Sequence, residues 1–556
     1  MAGDMAARWT RTIPVTEIPE GGARTVKRGG KQIAMFRAGE EVHAVDNRCP
    51  HEGYPLASGT VQDGILTCEW HNWKFRLCDG VCEMGGEDVQ HYPARVEDGV
   101  VWIDLNDPPA AEKIPALYAA VVDAMDEGEW DRVGRTIERL LVCGEPPQAI
   151  LARACELAAL RAPYGIDHGP ATAADAAALL EEHPGEAGTI LLEAFNLLLD
   201  EHARRQPRLL AAPAPLGRAF DHRDAEAQLR RLVEEQDLSG AEALVRGALR
   251  AGAAPAALLG WLTHAATDHF LDYGHGHIYC VKVEELLGRL GGASAEALLC
   301  GLTANLVNGT REDRLPYMRK YAALTAGLAG RLEGWVRRGD GGRLEVDAFL
   351  AAVLDGSLEV ALTATAAALD AGVAPDRVAL ALALAAAHRL WRFDDALEQS
   401  DDISEGWLSV THALTHADAV RETLLRRPTA DALRGLFHSA RFIQHMAPLD
   451  RKPASRVAPT GPAPDAKALC RESLGGHATV PIFIDHHVKT SFAARRIDTA
   501  LRADPLFAAR TDVDLPLHAA ARFVASPLRE RRIARDASVA RNFVREGRRQ
   551  RTRLGY

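Results

Sequence analysis

Between residues 9 and 105, apolar and polar residues alternate in short runs: KQIAMFRA, EEVHAV, GILTC and GVVWIDL. A period of two places alternate side chains on one face of a strand. Gly-rich turns separate the runs, with EGG at 20–22, RGG at 28–30 and EDG at 97–99. Several short strands joined this way predict a small β-sandwich or barrel. After DLNDPPAAEKIP the pattern changes. Ala, Leu, Arg and Glu dominate, and apolar residues recur three and four apart, which predicts helix almost without break. The fold class expected is therefore multidomain, an N-terminal all-β module followed by a large all-α region.

The helical region repeats itself. EGEWDRVGRTIERLLVCGEPPQAILARACELAA, from Glu127, aligns with EEQDLSGAEALVRGALRAGAAPAALLGWLTHAA, from Glu234. A third copy, LDGSLEVALTATAAALDAGVAPDRVALALALAAAH, starts at Leu354. Each copy reads as a helix, a Gly-x-x-Pro turn and a second apolar helix. The period of roughly 110–120 residues is too long for a short solenoid unit, and predicts a bundle of repeated multi-helix units. The expected division is an all-β domain at 1–108, a His-rich all-α repeat domain at 111–448, a Pro-rich linker at 449–465, and a helical segment at 466–556 ending in the basic tail REGRRQRTRLGY.

Composition narrows the classes. The formal charge of −11 over 556 residues argues against a nucleic-acid binder, which needs a basic surface. The longest apolar stretch, VALALALAAA, is too short to span a bilayer. The start, MAGDMAARWTRT, lacks the apolar core of a secretory signal, so a cytoplasmic location without membrane contact is expected. Nine cysteines in so long a chain do not make a disulfide framework. Cys143, Cys155, Cys280, Cys300 and Cys470 lie in helical sequence, where Cys is a small buried apolar residue. Cys78 and Cys82 read as ordinary thiols or as a redox or metal pair.

Two loops interrupt the strands, Cys49-Pro50-His51-Glu52-Gly53 and Cys68-Glu69-Trp70-His71-Asn72-Trp73. Each offers one thiolate and one imidazole. Such a set suits zinc, or a 2Fe–2S cluster with thiolates on one iron and imidazoles on the other. The stretch CPHEGYPLASGTVQDGILTCEWHNWKFRL closely resembles the cluster-binding region of Rieske proteins, and the resemblance extends over residues 9–105. It implies a 2Fe–2S cluster bound by Cys49, His51, Cys68 and His71, with the thiolates on an inner iron and the imidazoles on an outer iron near the surface. High-potential members clamp the loops with a disulfide; the matching positions here are Tyr54 and Trp70. Those members also donate hydroxyl hydrogen bonds to the cluster from positions that are Trp73 and Phe75 here. Fewer such bonds imply a lower potential. The module therefore resembles Rieske ferredoxins and the N-terminal domains of Rieske oxygenases. One departure is Asn72, where the family has Gly; Asn tolerates positive φ.

The helical region carries most of the 21 histidines. They gather in YGIDHGPATAADAAALL (Asp167, His168), HAATDHFLDYGHGHIYCVKVEELL, WLSVTHALTHADAVRETLL, FHSARFIQHMAPLD (His438, His445) and PIFIDHHVKTSFAA (Asp485, His486, His487). His168, His277 and His412 fall at comparable places before a Leu-Leu pair. Residues four apart share a helix face, which pairs His264 with Asp268 and His412 with His416. His264, Asp268, His275, His277, His412 and His416 are the candidate second metal site, with iron as the metal. In Rieske oxygenases an acid precedes an H-x4-H pair. His264 and His269 have that separation, but Trp261 stands in the acid's place, and no sheet-forming stretch follows. The expected function is electron transfer from the Rieske cluster to a redox or oxygenase-like site in the helical region, where those six residues converge. The alternative is an electron carrier fused to a non-catalytic helical scaffold, in which they scatter. No G-x-G-x-x-G fingerprint opens a βαβ unit, so an external reductase or ferredoxin reductase is expected to supply electrons, and a small organic molecule to be the substrate.

Overall fold

Gly29 and Gly30, at φ +55° and +76°, reverse strand Ala23–Arg28 into Lys31–Ala38. A two-residue turn with both φ values positive matches the natural twist of a hairpin. A second turn leads into Glu41–Asp46, and His91–Tyr92 completes a four-stranded antiparallel sheet. A second sheet pairs Thr60–Gln62, Ile65–Thr67, Lys74–Arg76 and Cys82–Met84. A third sets Val100–Asp104 between Trp9–Pro14 and Ala94–Glu97. The structure, a computed structural model, describes residues 9–548 and 552–554, except 106, 200–201, 293, 337–340, 401–402, 476–477, 479 and 529–531. Residues 549–551, 555 and 556 of the basic tail lie outside the described residues.

The chain forms two compact units. One is the β-rich unit, which runs to Ala124 and includes Asp131–Arg139; the other is helical, taking Met125–Trp130 and the chain from Leu140 onward. The β-rich unit has two small cores. One holds Cys49, Leu56, Leu66, Cys68, Phe75 and Leu77 beneath the two metal-ligand loops.

The helical repeats share one turn. Helices Trp130–Val142 and Pro147–Arg161, Leu238–Ala251 and Pro255–Asp268, and Leu358–Asp370 and Pro375–Arg392 are the three pairs. Gly144, Gly252 and Gly372 end the first helices at φ +84°, +99° and +80°. The next residues, Glu145, Ala253 and Val373, donate their N–H to carbonyls five residues back, at Leu140, Ala248 and Ala368. This is the left-handed helix stop that glycine makes without strain. Pro147, Pro255 and Pro375 then open the second helices, where the missing N–H has no intrahelical partner to lose.

A further helix follows each pair: His168–Glu182, His275–Arg289 and Trp407–Arg426. With Pro481–Ala503 they close a ring, each packing on the next and the last on the first. Buried alanines at 171, 173, 174, 176, 177 and 178 let the first of these approach its neighbours closely. The apolar helix Pro375–Arg392 is enclosed by this unit, and no helix among the described residues is long and apolar enough to cross a membrane. The Pro-rich stretch connects helices of one unit, because Ala466–Leu474 and Pro481–Ala503 belong to the same body as the repeats.

Gly165, at φ +93°, leads into the first ring helix. A Cβ there would lie 2.2 Å from the Asn305 backbone nitrogen, whereas one on Gly252 would meet open space. Gly252→Ala is expected to cost about 1 kcal/mol from φ alone. Gly165→Ala is expected to cost about 3 kcal/mol or more, since a backbone wall must also move. Urea unfolding of the two variants checks the order; equal midpoints would contradict the contact.

Candidate metal centres

The two ligand loops of the β-rich unit are the same closed turn used twice. Cys49 N–H donates to the Tyr54 carbonyl at 2.8 Å, and Gly53 N–H returns to the Cys49 carbonyl at 2.8 Å. Cys68 N–H donates to the Trp73 carbonyl at 2.8 Å, and Asn72 N–H returns to the Cys68 carbonyl at 3.2 Å. The residue before the closing position must take positive φ in both, and Gly53 and Asn72 do so at +79° and +59°. Asn72 therefore holds the turn that glycine holds in the sister loop.

These turns bury the sulfurs and expose the imidazoles. Cys49 and Cys68 are 3% and 2% exposed, while His71 is exposed and His51 half-buried. His51 Nδ1 and His71 Nδ1 lie 3.0 Å apart. Burial, opposed by N–H groups of the loop and reinforced by Cys68, pushes the Cys49 thiol up to about 11. Two buried sulfurs beside two converging imidazole nitrogens are a donor set that fits a cationic iron cluster. Tyr54 and Trp70, at the clamp positions, stack with centroids 4.2 Å apart. The clamp is thus aromatic. Trp73 stacks on the His51 ring at 4.7 Å, and Phe75 is buried in the core below.

Comparison with known proteins agrees. Residues 8–93 match the family model described as the Rieske [2Fe-2S] domain. The ferredoxin component of a naphthalene 1,2-dioxygenase system from Pseudomonas aeruginosa is 30% identical over 104 residues, 18% of this chain and 100% of that protein. The chain belongs to the Rieske 2Fe–2S family. The Rieske domain is also similar to a 4beta-methylsterol monooxygenase of Methylococcus capsulatus, 37% identical over 107 residues, 16% of this chain and 29% of that protein. It is 32% identical over 129 residues to the oxygenase subunit of a 3-chlorobenzoate-3,4-dioxygenase of Comamonas testosteroni, 21% of this chain and 30% of that subunit. The chain thus spans less than a third of either oxygenase. When bound, a Rieske cluster carries one electron at a time, so the domain is an electron-transfer module. Cys49 and Cys68 are placed to hold it from below, and His51 and His71 at the surface.

The helical unit brings together four side chains that could hold a metal ion: His168, His275, His412 and His486. One comes from each helix of the closed ring. His168 and His275 open their helices; His412 and His486 lie within theirs. The Nε2 atoms of His168 and His275 are 3.2 Å apart, those of His275 and His412 2.8 Å, and those of His412 and His486 3.1 Å. The opposite nitrogens are occupied. Nδ1–H of His275 donates to the Asp272 carbonyl at 2.7 Å, that of His412 to Leu408 at 2.5 Å, and that of His486 to Ile482 at 2.6 Å. His168 Nδ1 meets the Tyr279 hydroxyl at 3.3 Å. A neutral imidazole has one N–H, so the three carbonyl bonds leave bare lone pairs on Nε2 of His275, His412 and His486. A carbonyl on the far nitrogen is the usual orientation of a metal-bound histidine.

Electrostatics favour the neutral rings. Burial, then Lys489, then neighbouring imidazoles hold His168 well below the ordinary histidine value. Burial, Lys489 and His412 do the same for His486, and burial, His275 and Lys489 for His412. Lys489 itself is buried and pushed down to about 8, with Asp485 opposing the shift. Asp485 accepts from the Thr172 hydroxyl at 2.5 Å, which ties the fourth helix to the first.

The six residues singled out from sequence do not converge. His275 and His412 meet, joined by His168 and His486. His264 is taken by Glu226 at 2.5 Å and Thr429 at 3.0 Å, and Asp268 pairs with Arg230 and Arg434. His277 binds the Thr423 hydroxyl at 2.8 Å and His416 the Ser439 hydroxyl at 2.9 Å. The shared face of His264 and Asp268 is real, but neighbouring helices present each with a different partner. In the repeat alignment the equivalent of His168 and His412 is His275, two residues from the expected His277. His486 carries a signal in its Asp-His step, which Asp167-His168 also shows.

Cys68→Ser is expected to abolish the Rieske absorption and EPR spectrum; a normal spectrum would overturn the ligand set. Tyr54→Ala is expected to keep the cluster but release it at lower denaturant, since the stacked pair contributes about 1 kcal/mol. Absorbance at the cluster bands during urea titration reads the difference, and an unchanged release midpoint would deny the aromatic clamp.

Proposed function

We propose that the chain is a Rieske-fed oxidoreductase, with electrons passing from an external reductase through the 2Fe–2S cluster to one redox-active ion, iron, held by His168, His275, His412 and His486. Its reaction is the oxidation of a small organic substrate by dioxygen. The observation that carries this reading is the convergence of four Nε2 atoms, those of His275, His412 and His486 bare because their Nδ1–H groups are tied to carbonyls. Such an array is repulsive unless a cation lies among the nitrogens. Imidazole ligands suit iron, copper, nickel and zinc alike, and the fused one-electron donor favours a metal that changes oxidation state. Nitrogens at metal–nitrogen distances of about 2.1 Å lie about 3.0 Å apart at right angles and about 3.4 Å apart in a tetrahedron. The observed spacings of 2.8, 3.1 and 3.2 Å favour right-angle neighbours, an arrangement that leaves further positions for small ligands. Holding donor and acceptor in one chain raises their effective concentration without a new contact.

The second reading, a Rieske carrier on a non-catalytic scaffold, is favoured by the separate partners of His264, His277 and His416. A cytoplasmic location goes with either reading, since none of the nine cysteines is in a disulfide and Cys78 is exposed.

Iron and acid-labile sulfide per chain separate the two. Full-length protein purified without oxygen is expected to hold three irons and two sulfides. His412→Ala is expected to lose one iron and keep the Rieske spectrum. Two irons in both proteins, with no other metal in the parent, would sink the four-histidine centre.

A further inference from the structure

A cavity of about 220 Å³ opens between helices Arg319–Ala326, Leu332–Val336 and Ala430–His445 of the helical unit. Tyr321, Leu332 and Phe437 give it apolar walls, and the exposed Ala322, Ala326 and Ala329 form its mouth. Two polar groups in its lining are unsatisfied. His438 is only 6% exposed and has no hydrogen-bond partner among the described residues. Asp313 gives Oδ2 to His269 at 2.8 Å, but its buried Oδ1 has no partner. An unmade hydrogen bond on a buried group costs about 1–3 kcal/mol, and the His438 ring, whose nitrogens are not sealed off, can recover one from a molecule in the cavity.

The chemistry of the lining limits that molecule. Arg434, the cation of the rim, is already engaged by Asp268 and Asp431, at 2.6 and 2.7 Å. Asp268 and Asp313 would repel an anion. Burial first, with Arg434 and His269 beside it and Asp313 opposing, pushes His438 down to about 4, so at neutral pH the ring offers one donor and one acceptor. A hydroxyl can hydrogen-bond the His438 ring as donor or as acceptor. The volume suits a single ring rather than a drug-sized ligand.

We propose that this cavity binds a compact, uncharged, hydroxyl-bearing organic molecule of the phenol or cyclic alcohol class, held by His438 between the apolar walls. Rings connect it to the histidine centre. Phe270 lies 5.8 Å from His438 and 5.7 Å from His416, and Phe442 lies 5.1 Å from Phe270 and 4.9 Å from Tyr273, which meets His412 at 5.5 Å. As a substrate site the cavity rests on the oxidoreductase reading; as a binding site it does not.

Calorimetric titration of the full-length protein with p-cresol tests it, with benzoate as the charged control. The parent is expected to bind p-cresol and not benzoate. Ala326→Trp, at the exposed mouth, should abolish binding without altering the melting temperature. His438→Phe, which keeps the ring's bulk, should weaken binding by about tenfold. Equal binding by parent and Ala326→Trp, no binding by the parent, or benzoate binding as tight as p-cresol would overturn the proposal. Binding retained in His412→Ala would keep it standing even if the four-histidine centre proved to hold no metal.

Discussion

Four imidazole nitrogens, all within 4.8 Å of one another and about 3 Å apart between successive rings, are the constraint around which the helical unit is organised. Neutral rings so placed gain nothing from each other, and protonating His168, His412 or His486 is opposed by burial and by Lys489. The arrangement persists because the opposite nitrogens of His275, His412 and His486 are anchored to backbone carbonyls within their own helices or turns, and that of His168 to the Tyr279 hydroxyl, so convergence is fixed by helix packing. The backbone around His275 shows what that demands. Asp272 and Tyr273 both take positive φ before Gly274, and a Cβ on Gly274 would lie 2.9 Å from the His416 ring. Non-glycine residues in the left-handed region cost free energy, and such strain gathers at functional sites.

Repetition explains how one site draws on four distant segments. Each copy ends its first helix on a left-handed glycine, starts its second on proline, and then delivers a histidine near the start of a third helix or within it. Closing these third helices into a ring with Pro481–Ala503 brings one ligand from each. The Rieske domain uses duplication on a smaller scale, since its two loops are one turn built twice, each supplying a cysteine and a histidine.

The Rieske ligands were legible because the turn that places them is local. Cys49 and His51 are two residues apart, Cys68 and His71 three, and the hydrogen bonds that shape each loop close within five residues. Asn72 was readable for the same reason. The helical site was half legible. His275 and His412 stood out by density, but the spacing that pairs His264 with Asp268 says only that they share a face, not what opposes it. Glu226, Arg230 and Arg434 decide that, and they come from other helices. His168 and His486 sit in segments with few other histidines, so only the ring closure shows that they belong with the rest.

The most direct test of electron flow between the two centres is stopped-flow reoxidation of the reduced Rieske cluster on mixing the full-length chain with dioxygen. The account predicts a first-order rate that does not change with protein concentration and that falls sharply in His412→Ala, while the cluster spectrum stays the same. Equal rates in the two proteins, or a rate set only by collisions between chains, would contradict it.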